Sequence, residues 1–356
     1  VRIGAASLGA DRLNPSATVE QDDQQANGGS LEYRANLRVS YDFLLSSNNE
    51  VTDTGGLGIG ASLHGLTTPQ GNVSFGFDED FSRLIRAANY ETDANTNRDI
   101  NQLRLLLFYH PHGRAVSGYL YAQNMVDIFE RDEFPDRMSN RVGLHPQWKW
   151  LPNTQIYGDF SWGVTNAINE GNQINKVNSY PLTLRLGFAT LLSLKTTFNF
   201  DAGYTNGFYS TGPSYSAPVV GATLGYRYSP LGRVTAGYMY IHEDSINANY
   251  YRDHVLRASL QQLFVPFVVM VQPEVHFRRY VGINTAVPGL TGADERADVI
   301  FALVGGIQYS FRNWLAASVN YRFSTVQTNY MYMAMTGIDD PSFVRHELLL
   351  GVRAAL

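Results

Sequence analysis

The sequence predicts an all-β chain: a transmembrane, antiparallel, up-and-down β-barrel of sixteen strands, with eighteen as the alternative count. Three observations lead there. Apolar and polar residues alternate over runs of about ten positions, some sixteen times along the chain. The connections between these runs are by turns very short and very long, and aromatic residues collect at the ends of the runs. The clearest run covers 31–45, with Leu31, Tyr33, Ala35, Leu37, Val39, Tyr41, Phe43 and Leu45 on one face and Glu32, Arg34, Asn36, Arg38, Ser40 and Asp42 on the other. Inside a bilayer every backbone group must be paired internally, so only the side chains choose between lipid and water. A soluble β-sandwich is the alternative architecture, but its strands average nearer ~5–6 residues and would be too short for these runs.

Composition agrees. The mean hydropathy of −0.20 and the absence of an apolar stretch of about eighteen residues exclude membrane-spanning helices. Neither excludes spanning strands, because half of each barrel strand is polar. The 32 glycines and 13% aromatic residues suit strands that crowd small residues on one side and place rings at the interfaces. Without a linker-like stretch in its 356 residues, the chain reads as one barrel over 31–356, preceded by a segment 1–30 whose alternation is poor. That segment is expected to be a periplasmic extension, a lumen insert or an extra hairpin. No leader pattern precedes Val1, so the chain is expected to be the mature or trimmed part of an exported precursor. The net charge is −5 and no block of Lys or Arg occurs, which sets nucleic-acid binding aside.

The first eight strands are expected at 31–45, 57–66, 72–85, 101–110, 115–127, 141–150, 154–165 and 181–190. The second eight are expected at 195–205, 218–228, 233–243, 252–262, 267–280, 298–311, 314–325 and 343–356. Tight turns rich in Pro, Gly, Asn and Ser fall at 69–71, 110–113, 151–153, 192–193, 230–232, 265–266 and 312–313. Long polar loops fall at 86–100, 128–140, 166–180, 206–217, 281–297 and 326–342. Short turns of such barrels face the periplasm and long loops face outside, which requires an even strand count. Trp148, Trp150, Tyr226, Tyr228, Tyr309 and Phe311 precede tight turns and should form the periplasmic girdle. Tyr41, Phe43, Phe160, Trp162, Tyr204, Tyr238, Tyr240, Tyr321 and Phe323 precede long loops and should form the outer one.

The opposite parity gives the lumen its chemistry. It receives Arg34, Arg38, Arg104, Lys149, Arg185, Arg227, Arg257, Arg278, Arg322, Arg345 and Arg353, against Glu32, Asp42, Asp78, Asp80, Asp159, Asp201, Glu274 and Glu347. The row Gln272, Glu274, His276 and Arg278 lies on one strand, and acidic residues concentrate in the long loops. Such a wall is a water-filled, mildly positive passage for anions or an acidic polymer, or a set of charge pairs that hold the barrel's shape. Antiparallel pairing of the first and last strands would set Glu32, Arg34 and Arg38 beside Arg345, Glu347 and Arg353 as a sealing ladder. Tyr119, Tyr121, Tyr157 and Tyr280 are candidates for stacking on sugar rings inside.

Candidate catalytic and metal groups are weaker. Ser62 and His64 share an inward face, whereas a lipid-cleaving nucleophile belongs near the lipid boundary. The carboxylates of Asp78, Glu79, Asp80, Asp339 and Asp340 suit solvated strand ends and loops as well as calcium. His110 and His112 share a turn too tight to add a third metal ligand. The chain is therefore expected to be no enzyme and to use no cofactor or metal.

In its middle the sequence resembles the β-barrel porin type 2 family. The residues that carry this are 190–204, Tyr209, Val220 through Tyr226 with Ser229 and Pro230, Gly237 and Tyr238, and Asp244 through Tyr251. The resemblance implies an integral outer-membrane barrel acting as, or within, an exopolysaccharide export channel. No functional residue carries across. The expected function is passive passage of hydrophilic solutes, most simply outward passage of a polymer. A general diffusion porin is the alternative, narrowed by a constriction loop that 281–297 or 326–342 is long enough to supply, and a barrel with a plugged lumen that anchors a larger complex is another. Expected partners are the bilayer, lipopolysaccharide and, for a polymer channel, an anionic polysaccharide and a periplasmic export protein.

Overall fold

The computed structural model describes residues 2–4, 31–42, 56–67, 71–84, 90–91, 96–111, 115–131, 134–168, 178–246, 248–282, 296–312, 315–334, 337–339 and 342–354. Sixteen of its strands are long, 11 to 16 residues each. They are β2 (Leu31–Asp42), β3 (Gly56–Thr67), β4 (Val73–Leu84), β5 (Arg98–Tyr109), β6 (Val116–Phe129), β7 (Arg137–Leu151), β8 (Thr154–Ala167) and β9 (Leu182–Ser193). The series continues with β10 (Thr196–Asn206), β11 (Ser216–Ser229), β12 (Gly232–Asp244), β13 (Tyr250–Phe264), β14 (Phe267–Val281), β15 (Ala297–Arg312), β16 (Leu315–Thr328) and β19 (Phe343–Ala354). At ~9–11 residues per tilted crossing, each is long enough to span a bilayer and rise beyond it.

Every long strand pairs antiparallel with the next. The first and last meet through a short strand, β1 (Arg2–Gly4), antiparallel to β2 and parallel to β19. This changes the expected sealing ladder. With β1 between the two end strands, Glu347 turns to Arg322 on β16 instead, 3.4 Å away. The remainder of 1–30 lies outside the described residues, as do the side chains of Arg38, Tyr41, Arg353 and Phe43. Loop 326–342 holds a small hairpin that the sequence reading left out, β17 (Tyr332–Ala334) with β18 (Gly337–Asp339).

The parity of the strands separates two surfaces. Leu105, Leu120, Val142, Leu144, Trp162, Leu184, Leu186, Leu256 and Ile307 are exposed on the outer face, where only lipid could cover them. The girdle rings stand at its edges: Trp148 beside Trp150 at 6.5 Å, and Tyr309 against Phe267 at 4.8 Å and Phe311 at 4.6 Å. On the inner face, rings lie over glycines. A Cβ on Gly143 would come within 2.4 Å of the Tyr121 ring, and one on Gly187 within 2.6 Å of Tyr157. The glycines thus let aromatic side chains lie flat against the wall.

Candidate functional site

The inner face is uneven from bottom to top. Toward the short turns its charges reach solvent: the Arg257 side chain is 54% exposed and Arg322 37%. Toward the long loops they are covered: Asp253 is 0% exposed, His276 and Arg278 7% each. Water therefore has access to the lower lumen, and something fills the mouth.

A charge cluster on β13 and β14 makes one wall of that mouth. The tight turn at 265–266 sets the register that puts Arg257 opposite Glu274 and Asp253 opposite Arg278. Arg278 donates to Asp253 Oδ2 from Nε at 3.0 Å and Nη2 at 2.9 Å. His276 holds Nδ1 2.8 Å from the same oxygen and Nε2 2.6 Å from Glu274 Oε1, contacts that a doubly protonated ring satisfies at both ends. Arg257 Nε donates to Glu274 Oε2 at 2.6 Å, closing the row. Above it, Arg278 lies 3.9 Å from the centre of the Tyr251 ring, whose hydroxyl donates to Glu243 at 2.7 Å. Burial makes this arrangement demanding, because an unpaired guanidinium there would be costly.

Across the mouth reaches a segment of the connection between β4 and β5. Tyr90 sets its ring 5.5 Å from His276. Glu91 accepts from Ser245 Oγ at 2.5 Å and from the Ile246 backbone N–H at 3.0 Å, both in the connection between β12 and β13. Its carbonyl accepts from Arg296 Nη1 at 2.7 Å, while Arg296 grips Asp298 through Nε and Nη2 at 2.6–3.0 Å. Glu91 also lies within electrostatic range of Arg137 on β7 and Arg278 on β14. One carboxylate thus sits between cations from two walls. Burial, reinforced by the Glu274 charge, pushes the Tyr90 hydroxyl above its ordinary value and keeps it neutral. Beside this crossing, Phe129 and Phe134 pack with Ile246, and Asp127 Oδ2 accepts from Arg98 at 3.1 Å and Arg137 at 2.8 Å.

The predicted lumen residues divide accordingly. Arg257, Glu274, His276 and Arg278 come together, and Arg322 with Glu347 lies near enough to act on Tyr90. Arg104 donates to Gln123 at 3.2 Å and sits 6.0 Å from the Tyr121 ring centre; Arg185 pairs with Asp201 at 3.4 Å. Arg34 and Arg227 are exposed, and Arg345 stands over Phe343 at 5.0 Å. Sequence reading missed Asp253, Arg98, Asp127, Arg137 and the Tyr90–Glu91 crossing. Of the loops expected to narrow the lumen, 283–295 lies outside the described residues, as do 335–336 and 340–341 of the loop 326–342; the described crossing comes from residues 90–91. Ser62 accepts from Asn36 at 3.1 Å, and His64 turns away from it to Asp78 at 2.9 Å, so the two do not form a nucleophile–base pair.

A second inner feature lies on β5 to β8. Phe108, Tyr119, His145 and Tyr157 form a continuous row, with centroid separations of 5.5, 4.9 and 5.8 Å; the last two contacts are stacked. Tyr121 adjoins Tyr119 at 6.1 Å. Of the predicted sugar-stacking tyrosines, Tyr119, Tyr121 and Tyr157 belong to this surface. Tyr280 instead packs against Tyr251 and lies 4.5 Å beneath the Arg296 guanidinium.

No family model matches the chain, so the resemblance to β-barrel porins of type 2 rests on the residues quoted for it. No curated protein matches it in sequence either. Solved structures do resemble it. The FrpB iron transporter of Neisseria meningitidis superposes with a TM-score of 0.50 at 10% identity, covering 84% of this chain and 57% of that one. The siderophore receptor PirA of Pseudomonas aeruginosa gives 0.47 at 11%, covering 90% and 64%. A Rhodopseudomonas blastica porin variant gives 0.38 at 8%, covering 90% and 100%. The chain spans less than two thirds of the length of the iron transporter and of the siderophore receptor. At such identities the likeness to the iron transporter establishes the fold alone, and that fold is the β-barrel of the bacterial outer membrane.

Proposed function

We propose that the chain is a passive outer-membrane channel for small hydrophilic solutes, narrowed at its outer mouth by the Tyr90–Glu91 crossing. The observation that carries this is Glu91, its carboxylate bonded to Ser245 and Ile246, its carbonyl to Arg296, and its charge within electrostatic range of Arg137 and Arg278. A carboxylate fixed at the mouth within electrostatic range of cations from different walls creates a transverse field, which sorts solutes by size and charge. The exposed Arg257 and Arg322 side chains below it make the rest of the path polar and wet. Liposome swelling with sugars of graded size tests the reading. Entry of monosaccharides with a cut-off near oligosaccharide size supports it; absence of swelling with every sugar overturns it.

The aromatic row from Phe108 to Tyr157 favours a second reading, carriage of a saccharide chain, as the exopolysaccharide resemblance implies. Ring faces spaced at 4.9–5.8 Å offer apolar surfaces to successive sugar rings. An anionic polysaccharide and a periplasmic export protein would be its partners. Block of channel current by polysaccharide fragments, weakened in Tyr119→Ala and Tyr157→Ala, would favour this reading over simple diffusion.

A further inference from the structure

The outer face of β12 to β15, just below the long loops, carries a graded set of side chains. Strand register lines them up in rungs. The uppermost joins His242, Arg252, Arg279 and Ala297; the next joins Tyr240, His254, Phe277 and Val299; the third joins Tyr238, Leu256, Val275 and Phe301. Descending from the loops, the surface passes from cationic to aromatic to apolar. Phe277 is 48% exposed, Val299 46% and Leu256 48%, whereas their inward neighbours His276, Asp298 and Val255 are buried. These rungs therefore face away from the lumen.

Arg252 and Arg279 are direct cross-strand partners. Like charges so placed repel and weaken the pairing unless an anion lies between them. Among the described residues neither arginine has an ion-pair partner, and both are exposed. A groove of about 490 Å³ opens there; its lining includes both arginines, Tyr240, His254, Phe277 and Val299, and also the buried Asp298, whose carboxylate is gripped by Arg296. Its upper end presents two guanidinium forks, which match phosphate oxygens in geometry and charge. Its lower end runs onto the apolar face that meets acyl chains.

From this we infer a binding site for a phosphorylated glycolipid of the outer leaflet. The phosphate bridges Arg252 and Arg279, the sugar rests on His254 and Tyr240, and the acyl chains descend over Phe277, Leu256 and Val299. His254 is held for this by Tyr238, whose hydroxyl lies 2.8 Å from Nδ1, and by Tyr240, stacked on it at 4.4 Å. The inference rests on the barrel's placement in the membrane and is independent of what the lumen conducts.

Native mass spectrometry of the full chain in detergent, titrated with diphosphorylated lipid A, tests it. One lipid is expected to be retained per barrel. Arg252→Ala with Arg279→Ala should weaken retention at least tenfold, dephosphorylated lipid A should bind the unmodified barrel as poorly, and Arg312→Ala at the opposite strand ends should change nothing. Inorganic phosphate at millimolar concentration should not displace the lipid. Retention unaffected by the double substitution in a barrel that still migrates as folded, or equal binding of dephosphorylated lipid, would overturn the assignment; displacement by inorganic phosphate would make the site one for free anions instead. Channel conductance of the double variant should match the unmodified chain, so loss of the lipid site and failure of the channel reading are separable.

Discussion

Replacing Glu91 with Ala should open the outer mouth. The Glu91 carboxylate accepts two hydrogen bonds, from Ser245 Oγ and the Ile246 N–H. A hydrogen bond to a charged group is worth about 1.5–3 kcal/mol net, so the two together hold the crossing by about 3–6 kcal/mol. The Arg296 bond to the Glu91 carbonyl at 2.7 Å survives the substitution, which favours the lower part of that range. At 1.36 kcal/mol per tenfold, a loss of about 3 kcal/mol moves the ratio of seated to released crossing by roughly a hundredfold. Single-channel recording in planar bilayers should then show larger or flickering steps. Reversal potentials in a salt gradient should also shift toward anion preference, because Arg137, Arg278 and Arg296 lose a nearby negative charge. Glu91→Gln, which retains an acceptor, should fall between the two. A folded Glu91→Ala barrel with unchanged step size and reversal potential would refute the account of the mouth.

Other substitutions test the remaining physical claims. Asp253→Ala removes the acceptor of His276 and Arg278 at a site 0% exposed and should cost about 3–5 kcal/mol, read as a lower urea midpoint for unfolding from detergent or lipid. Leu186→Arg, at a position 60% exposed on the outer face, should cost about 2–4 kcal/mol in a bilayer if that position meets hydrocarbon; a neutral result would place it off the lipid face. Gly143→Val drives a side chain into the Tyr121 ring, and should destabilise the barrel less when combined with Tyr121→Ala than when made alone, measured as a double-mutant cycle.

Most of the barrel could be read from the residues because the alternation of strand side chains is a local property that lipid and water enforce position by position. The run expected at 267–280 is β14 at Phe267–Val281, and that expected at 196's neighbourhood, 195–205, is β10 at Thr196–Asn206. Errors gather where strands rise above the membrane and the lipid-facing constraint ends. The loop expected at 128–140 shrinks because β6 runs to Phe129 and β7 starts at Arg137, which brings Asp127 and Arg137 together. Arg98 is missed for the same reason, since β5 begins three positions before the expected 101. The site was half visible. Glu274, His276 and Arg278 share one face of one strand, and the turn at 265–266 fixes the register that makes Asp253 their partner, so that residue was within reach. The Tyr90–Glu91 crossing was not, because where a loop comes to rest depends on contacts more than 150 positions away, with Ser245 and Arg296.

Single-channel conductance of the unmodified, refolded chain in planar bilayers tests the central claim most directly. A narrowed channel should give steady, resolvable steps in potassium chloride, with ion preference measurable in a salt gradient. Silence from a barrel that is folded by its heat-modifiable migration would contradict it, and would mean that the loops over the mouth seal the lumen.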